Sequence, residues 1–253
     1  MKKFNAIWFV VLSACFVTHA QHPAPDTIPA NSGKVIIQPV LHATLAITWN
    51  NITIYVDPYG GAKAFDGLAA PSLILITDIH GDHMNLETLE AINTSRAVFI
   101  APPAVREKLP EELANQTIPV ANGSVIRQFD IIITAIPMYN LPETEDSRHP
   151  RGRGNGYVLE MGGKRIYISG DTEDIAEMRA LQNIDIAFVC MNQPFTMTVE
   201  QAANAVLEFK PKIVYPFHYR GQGGLSDVAK FKRLVNEGNK NIEVRLRNWY
   251  PNY

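Results

Sequence analysis

The residues of this sequence that are best suited to chemistry lie in one short segment, TDIHGDH at 77–83. The segment follows the apolar run 73–76, which is typical of a buried strand. Imidazole and carboxylate groups together suit zinc, manganese or iron better than calcium. A turn or a helix cap would explain Asp78 or Asp82 singly, but not both aspartates together with His80 and His83. We therefore expect these four side chains to hold metal at the end of a strand.

Four more polar residues follow apolar, strand-like runs elsewhere in the chain. They are Asp57, Asn140, Asp171 and His218. A single Asp or His in a loop usually has no special role. Here each residue repeats one arrangement, a candidate ligand at the carboxyl end of a buried strand. We expect them to converge with segment 77–83.

The apolar periodicity predicts the elements that must position these residues. Predicted strands occupy 35–49, 52–56, 73–76, 97–101, 125–136, 157–161, 165–169, 184–191, 213–216 and 242–246. Predicted helices occupy 86–92, 104–114, 175–181, 199–209 and 225–236. Strand-rich halves interleaved with helices predict an α/β fold of two sheets with helices outside them.

Composition excludes several classes of protein. The chain has 253 residues, 46% of them hydrophobic and 19% charged, which is enough apolar material for a sizeable core. The 23 basic and 25 acidic residues give a net charge of -2, and no block of five like charges occurs. This balance argues against a nucleic-acid groove or a polybasic membrane patch. Two cysteines exclude a disulfide framework and a thiolate zinc site.

The first 20 residues have the pattern of an export signal. Lys2 and Lys3 precede an apolar stretch at 7–17, and Ala20 offers a small residue for cleavage before Gln21. The stretch is too short to span a membrane. We expect residues 1–20 to be a signal peptide and the protein to be periplasmic or secreted, the alternative being a buried N-terminal helix.

A second kind of export signal is also compatible with the sequence. The run LSAC at 12–15 resembles a bacterial lipoprotein signal, in which Cys15 would carry the lipid and anchor the chain to a membrane. Residues 21–33 are rich in Pro and Ala and predict a linker or an extended arm. The remaining chain, 34–253, is then one domain.

The ordered series of candidate ligands resembles the metallo-β-lactamase superfamily, most closely its compact metal-dependent hydrolases of the ascorbate-6-phosphate lactonase type. The resemblance runs from about residue 34 to the C-terminus. It implies an αβ/βα four-layer sandwich of two mixed β-sheets, with one or two ions, Zn or Mn, at the edge between the sheets. The family signature is His-x-His-x-Asp-His, and Asp78 stands where its first His is expected.

The resemblance assigns the candidate ligands to two sites. One site takes Asp82, His83, Asp171 and His218, with Asp171 bridging to the other. The second site keeps His80, while Asp78 and Asn140 are substituted ligands or lost ones. Asp57 would orient a ligating histidine. His42 resembles a family position near the site, but it fits a core histidine equally well and is not assigned.

The chemistry implied by such a site is hydrolysis, because a bound divalent ion lowers the pKa of water from about 15.7 to about 7. Asp82 and Asp171 would be the catalytic carboxylates, using metal-bound hydroxide on a small ester, lactone, amide or phosphodiester. The alternative is a non-catalytic metal- or ligand-binding periplasmic protein with a degenerate site. Intact Asp82, His83, Asp171 and His218 favour the enzyme.

The polar segment 142–156 is the expected place for substrate choice. It carries His149, Arg151 and Arg153 between Asn140 and the hairpin that follows. Basic side chains on a loop beside a metal suit a carboxylate or phosphate group of a small-molecule substrate. The alternative is a solvated loop without a ligand.

Overall fold

The computed structural model describes residues 22–144 and 146–251. The expected signal at 1–20, including Cys15, lies outside these residues. Among the described residues, no helix is both long and apolar enough to cross a membrane.

The first sheet has seven strands in chain order. They are β1 (Asp26–Ala30), β2 (Gly33–Leu41), β3 (Thr44–Trp49), β4 (Ile52–Val56), β5 (Leu73–Leu75), β6 (Val98–Ala101) and β7 (Thr117–Pro119). Strands β1 to β4 pair antiparallel, and β4 to β7 pair parallel. A short 3-10 helix (Ala62–Phe65) and the helices α1 (Leu86–Ala91), α2 (Pro103–Arg106) and α3 (Glu111–Asn115) connect its strands.

The second sheet also has seven strands and the same change of direction. They are β8 (Val125–Gln128), β9 (Ile131–Met138), β10 (Gly154–Met161), β11 (Lys164–Ile168), β12 (Ile186–Cys190), β13 (Ile213–Phe217) and β16 (Glu243–Val244). Strands β8 to β11 pair antiparallel, and β11, β12, β13 and β16 pair parallel. The small hairpin β14 (Arg220–Gly221) and β15 (Gly224–Leu225) follows β13, and the helices are α4 (Ala176–Arg179), α5 (Val199–Phe209) and α6 (Val228–Gly238).

The strands of the first sheet alternate their side chains between two cores, as the two-residue period of a strand requires. Ile54 and Val56 belong to the central core, which they share with residues of the second sheet, whereas Tyr55 belongs to the core under α1 to α3. Leu73 and Ile74 alternate in the same way. Helices α5 and α6 pack on the other side of the second sheet. The layers therefore form the expected αβ/βα four-layer sandwich.

Several boundaries differ from those predicted. The expected linker at 21–33 contributes β1, which pairs antiparallel with β2. The predicted strand 35–49 is two strands, because the chain turns at His42 with a φ of +60°. The predicted helix 104–114 is divided at Pro110, whose ring prevents the residue before it from staying helical. Strand 125–136 is likewise divided into β8 and β9.

Candidate metal centre

Asp57 and His83 are brought together by the neighbouring parallel strands β4 and β5. Asp57 is fully buried and accepts hydrogen bonds from the backbone N–H and the hydroxyl of Thr77, at 2.8 and 2.6 Å. Its Oδ2 lies 2.8 Å from His83 Nδ1. Since a carboxylate only accepts, Nδ1 carries a proton, and Nε2 is the nitrogen of His83 that can bind a metal ion once the ring is neutral.

Asp171, after β11, lies between the two sheets at the centre of the cluster. Its Oδ2 is 3.2 Å from Nε2 of both His83 and His149, and its Oδ1 is 3.0 Å from Nε2 of His218. Asp82 Oδ2 is 3.6 Å from the same His218 nitrogen. This places Asp171 where one carboxylate can contact ligands from both halves of the fold.

A second group of side chains forms beside Asp171. Asp78, His80 and His149 bring one ligand atom each within 4.8 Å of one another, as do His83, Asp171 and His218 in the first group. His149 was expected to contact substrate, but it is fully buried in this group. We use the name first cluster for Asp82, His83, Asp171 and His218, and second cluster for Asp78, His80 and His149.

Asn140 holds His149 in place. Its Nδ2 donates to the carbonyl of Phe195 at 2.8 Å, and its Oδ1 accepts from His149 N at 2.8 Å and faces His149 Nδ1 at 3.1 Å. The amide oxygen makes Nδ1 the donor, so His149 presents the lone pair of Nε2 to Asp171. Asn140 thus orients His149, and it is His149 that stands where Asn140 was considered as a metal ligand.

Arg153 pairs with Asp78. Its Nε and Nη2 donate to the two carboxylate oxygens at 3.1 and 2.9 Å, and His80 Nδ1 lies 2.7 Å from Oδ2. Burial favours the neutral acid, but the contacts with His80 and Arg153 outweigh it and lower the pKa of Asp78 to about 2. Asp78 is ionised, and its charge is already balanced by an arginine.

His42 joins the site although the sequence reasoning left it out. It stands in the β2–β3 turn, with Nε2 3.2 Å from Asp82 Oδ2 and Nδ1 2.7 Å from the hydroxyl of Tyr250. Burial, reinforced by the nearby His218, lowers the pKa of His42 to about 4. A neutral ring that donates from Nε2 to Asp82 must accept from Tyr250 at Nδ1. The φ of +60° at His42 is a backbone conformation that few non-glycine residues adopt, and only the structure shows it.

The cluster contains buried ligand atoms that form no well-directed hydrogen bond among the described residues. Nε2 of His83, Nε2 of His149 and Oδ1 of Asp171 each lie 3.0–3.2 Å from another atom of the cluster, but none of these contacts has the geometry of a hydrogen bond. Nε2 lone pairs face a carboxylate that can only accept, so a cation must lie between them. Either a proton or a metal ion meets that need, and two imidazoles with two carboxylates are a fitting donor set for a divalent ion.

The electrostatics of the first cluster point the same way. Burial alone would lower the pKa of His83, yet the carboxylates of Asp171 and Asp57 hold it well above its ordinary value. Burial would raise the pKa of Asp171, but His218 and His83 hold it well below its usual range. The carboxylates thus favour a positive charge at this position, which a proton on His83 or a bound cation can supply.

The chain is similar in sequence to known proteins. The family model described as the beta-lactamase superfamily domain matches residues 37–218. A UPF0173 metal-dependent hydrolase from Thermococcus onnurineus is 30% identical over 205 residues, which are 78% of this chain and 90% of that protein.

Two crystal structures place the fold. A candidate metal-dependent hydrolase from Parabacteroides distasonis is 37% identical, with a TM-score of 0.78 and coverage of 88% of this chain and 98% of that one. A metallo-β-lactamase fold protein from Bacillus subtilis is 13% identical, with a TM-score of 0.65 and coverage of 87% and 92%. The second similarity concerns the fold alone.

Proposed function

Because the chain belongs to the beta-lactamase superfamily domain family, and is thereby a metal-dependent hydrolase, we propose that it cleaves a small ester, lactone, amide or phosphodiester. The observation that carries the proposal is the set of buried Nε2 lone pairs aimed at Asp171. Only a cation relieves that arrangement, and a divalent ion does so with the donor set present.

The predicted ligands of the first ion are Asp82, His83, Asp171 and His218, with Zn or Mn as the candidate ions. The second cluster offers fewer free donors, because Arg153 occupies both oxygens of Asp78. We therefore propose one tightly held ion and a second that exchanges. An ion bound here would lower the pKa of a coordinated water and so supply a nucleophile near neutral pH.

The residues of the chain itself would position the proton and the developing negative charge. Asp82 has a side chain that is 34% exposed and held by His42, so it can reach a water and accept a proton from it. The negative charge of Asp82 is secured because His83, His42 and His218 outweigh its burial and hold its pKa below the usual range. Nδ2 of Asn192, 3.2 Å from His218 Nε2, can donate to an oxyanion.

We propose that the enzyme acts in the periplasm or outside the cell, because residues 1–20 have the pattern of an export signal. The mature chain would begin at Gln21. Intact mass and N-terminal sequencing of native protein test this. A lipid on Cys15 would instead establish an anchored lipoprotein, and an unprocessed Met1 would contradict both.

Hydrolysis is tested with metal-loaded protein and a panel of 4-nitrophenyl esters, lactones, anilides and bis(4-nitrophenyl) phosphate. We expect turnover that Asp82→Ala abolishes, because that change removes both a ligand and the proton acceptor. Asp66→Ala, an exposed aspartate at the end of the 3-10 helix, is the matched control. Metal binding without turnover of any class would favour the non-catalytic alternative.

A further inference from the structure

A small cavity of about 210 Å³ opens directly above the first cluster. His42, Asp82, Asp171 and Asn192 line its floor. One wall carries Arg148 and Phe195, and the other is the segment 220–222 that starts with Arg220. A cavity of this size has room for several water molecules, which suits a small substrate.

Both arginines of the walls rest on aromatic rings. The guanidinium carbon of Arg148 lies 4.3 Å from the ring centroid of Phe195, and that of Arg220 lies 5.5 Å from the ring centroid of Tyr250. A cation–π contact uses none of the hydrogen-bond donors of a guanidinium group, so its N–H groups can still donate to an oxyanion. The ion pairs of residues 22–144 and 146–251 include neither arginine.

Two other arginines near the site are already neutralised. Arg153 forms its two bonds with Asp78, and Arg151 pairs with Glu143 at 3.1 Å and with Glu177 at 2.5 Å. Neither lines the cavity. Arg151 and Arg153, the arginines predicted from the sequence to contact substrate, are thus each engaged by carboxylates of the chain.

The wall that carries Arg220 is held rigidly. A Cβ on Gly221 would lie 1.8 Å from the carbonyl oxygen of Gln193, so only glycine permits this approach. The N–H of Gln222 donates to the same oxygen at 2.9 Å, and the N–H of Arg220 donates to the Tyr250 hydroxyl at 3.1 Å. Because the backbone of this segment is already fixed, it has little entropy to lose when Arg220 binds an anion.

We infer that Arg148 and Arg220 bind an oxyanion, a carboxylate or phosphate group of the substrate, beside the bond that is cleaved. This inference rests on the proposed hydrolytic function and adds the substrate class. Asp82 and Asp171 at the floor would repel an anion in the absence of an ion, so the oxyanion binds the metal-loaded protein through the arginines at the walls.

Calorimetric titration of metal-loaded protein with inorganic phosphate and with glutarate tests the inference without any turnover. We expect Arg148→Ala/Arg220→Ala to weaken binding of at least one probe by at least ~10-fold, because each arginine provides charge-assisted hydrogen bonds. Arg151→Ala is the matched control and should bind within about 2-fold of wild type, since it removes an exposed pair outside the cavity. The probe that loses affinity identifies the kind of oxyanion.

Equal affinities in the double variant and in wild type would overturn the inference, because the probes would then bind the ion alone. Circular dichroism and metal content show whether the double variant is folded. If it is not, the titration uses Arg148→Ala alone, because Arg148 is exposed.

A second measurement compares 4-nitrophenyl hemisuccinate with the neutral 4-nitrophenyl butyrate. We expect the ratio of their kcat/KM values to fall by at least ~10-fold in the double variant. If neither ester is cleaved, the proposed hydrolysis of esters fails while the titration still decides the oxyanion site.

Discussion

Replacing Arg153 with alanine should convert the second cluster from an ion pair into a better metal site. Asp78 has no exposed side-chain area, and both of its oxygens accept from Arg153. The variant leaves a buried carboxylate whose remaining close contact is His80 Nδ1 at 2.7 Å. A divalent ion held by Asp78, His80 and His149 would replace the lost positive charge.

The size of the effect follows from the burial of the pair. Removing one partner of a buried ion pair costs about 3–5 kcal/mol, and the contact with His80 favours the lower end of that range for Arg153→Ala. For a domain of this size, about 3 kcal/mol corresponds to a melting temperature about 6–12 °C lower in the metal-free protein. Saturation with Zn or Mn should restore most of this loss, because an ion that binds only the folded chain stabilises it.

Thermal unfolding of chelator-treated protein, with and without added metal, measures both effects. Arg151→Ala is the control, because Arg151 is itself exposed and its pairs with the exposed Glu143 and the half-buried Glu177 are worth at most about 1 kcal/mol. An Arg153→Ala variant that melts like wild type without metal would refute the reasoning. So would a variant that gains no more from added metal than wild type does.

Three further predictions concern the groups that hold the ligating histidines. Asn140→Ala should free His149 and weaken the exchangeable ion about 10–100-fold while sparing the tight one, as measured by competition with a chelating dye. Asp57→Asn should weaken the tight ion by a similar factor, about 10–100-fold, because His83 loses its carboxylate partner; unchanged affinity would contradict this. His83 has a raised pKa and must lose a proton to bind metal, so protons compete with the metal ion. Metal affinity should therefore rise with pH, by up to about tenfold per unit near neutrality. An affinity that does not change with pH would exclude this competition.

The sequence predicted the part of the site that depends on strand ends. Asp57, Asp171 and His218 each follow a buried strand, and His83 lies in the segment after β5. Parallel pairing of β4 with β5, of β11 with β12 and of β12 with β13 brings those strand ends to the same edge of each sheet. Apolar periodicity identifies such strands, so the position of the residue that follows each one can be predicted without the structure.

His149 and the arginines could not be assigned in this way, because their positions depend on the path of a loop. The segment around 149–153 turns so that His149 is buried, Arg151 faces outward and Arg153 reaches Asp78. Local sequence shows three basic residues close together but not which of them meets a carboxylate. Arg148 and Arg220 were missed for the same reason, since the rings that they contact, Phe195 and Tyr250, lie elsewhere in the chain.

Metal content per chain after exhaustive dialysis, measured by inductively coupled plasma mass spectrometry, tests the central claim most directly. The account predicts one retained ion in the wild-type protein and in the control Asp66→Ala, and none in His218→Ala, which lacks a predicted ligand of the first cluster. A His218→Ala variant that still retains one ion per chain, or a wild-type protein that retains none, would contradict it.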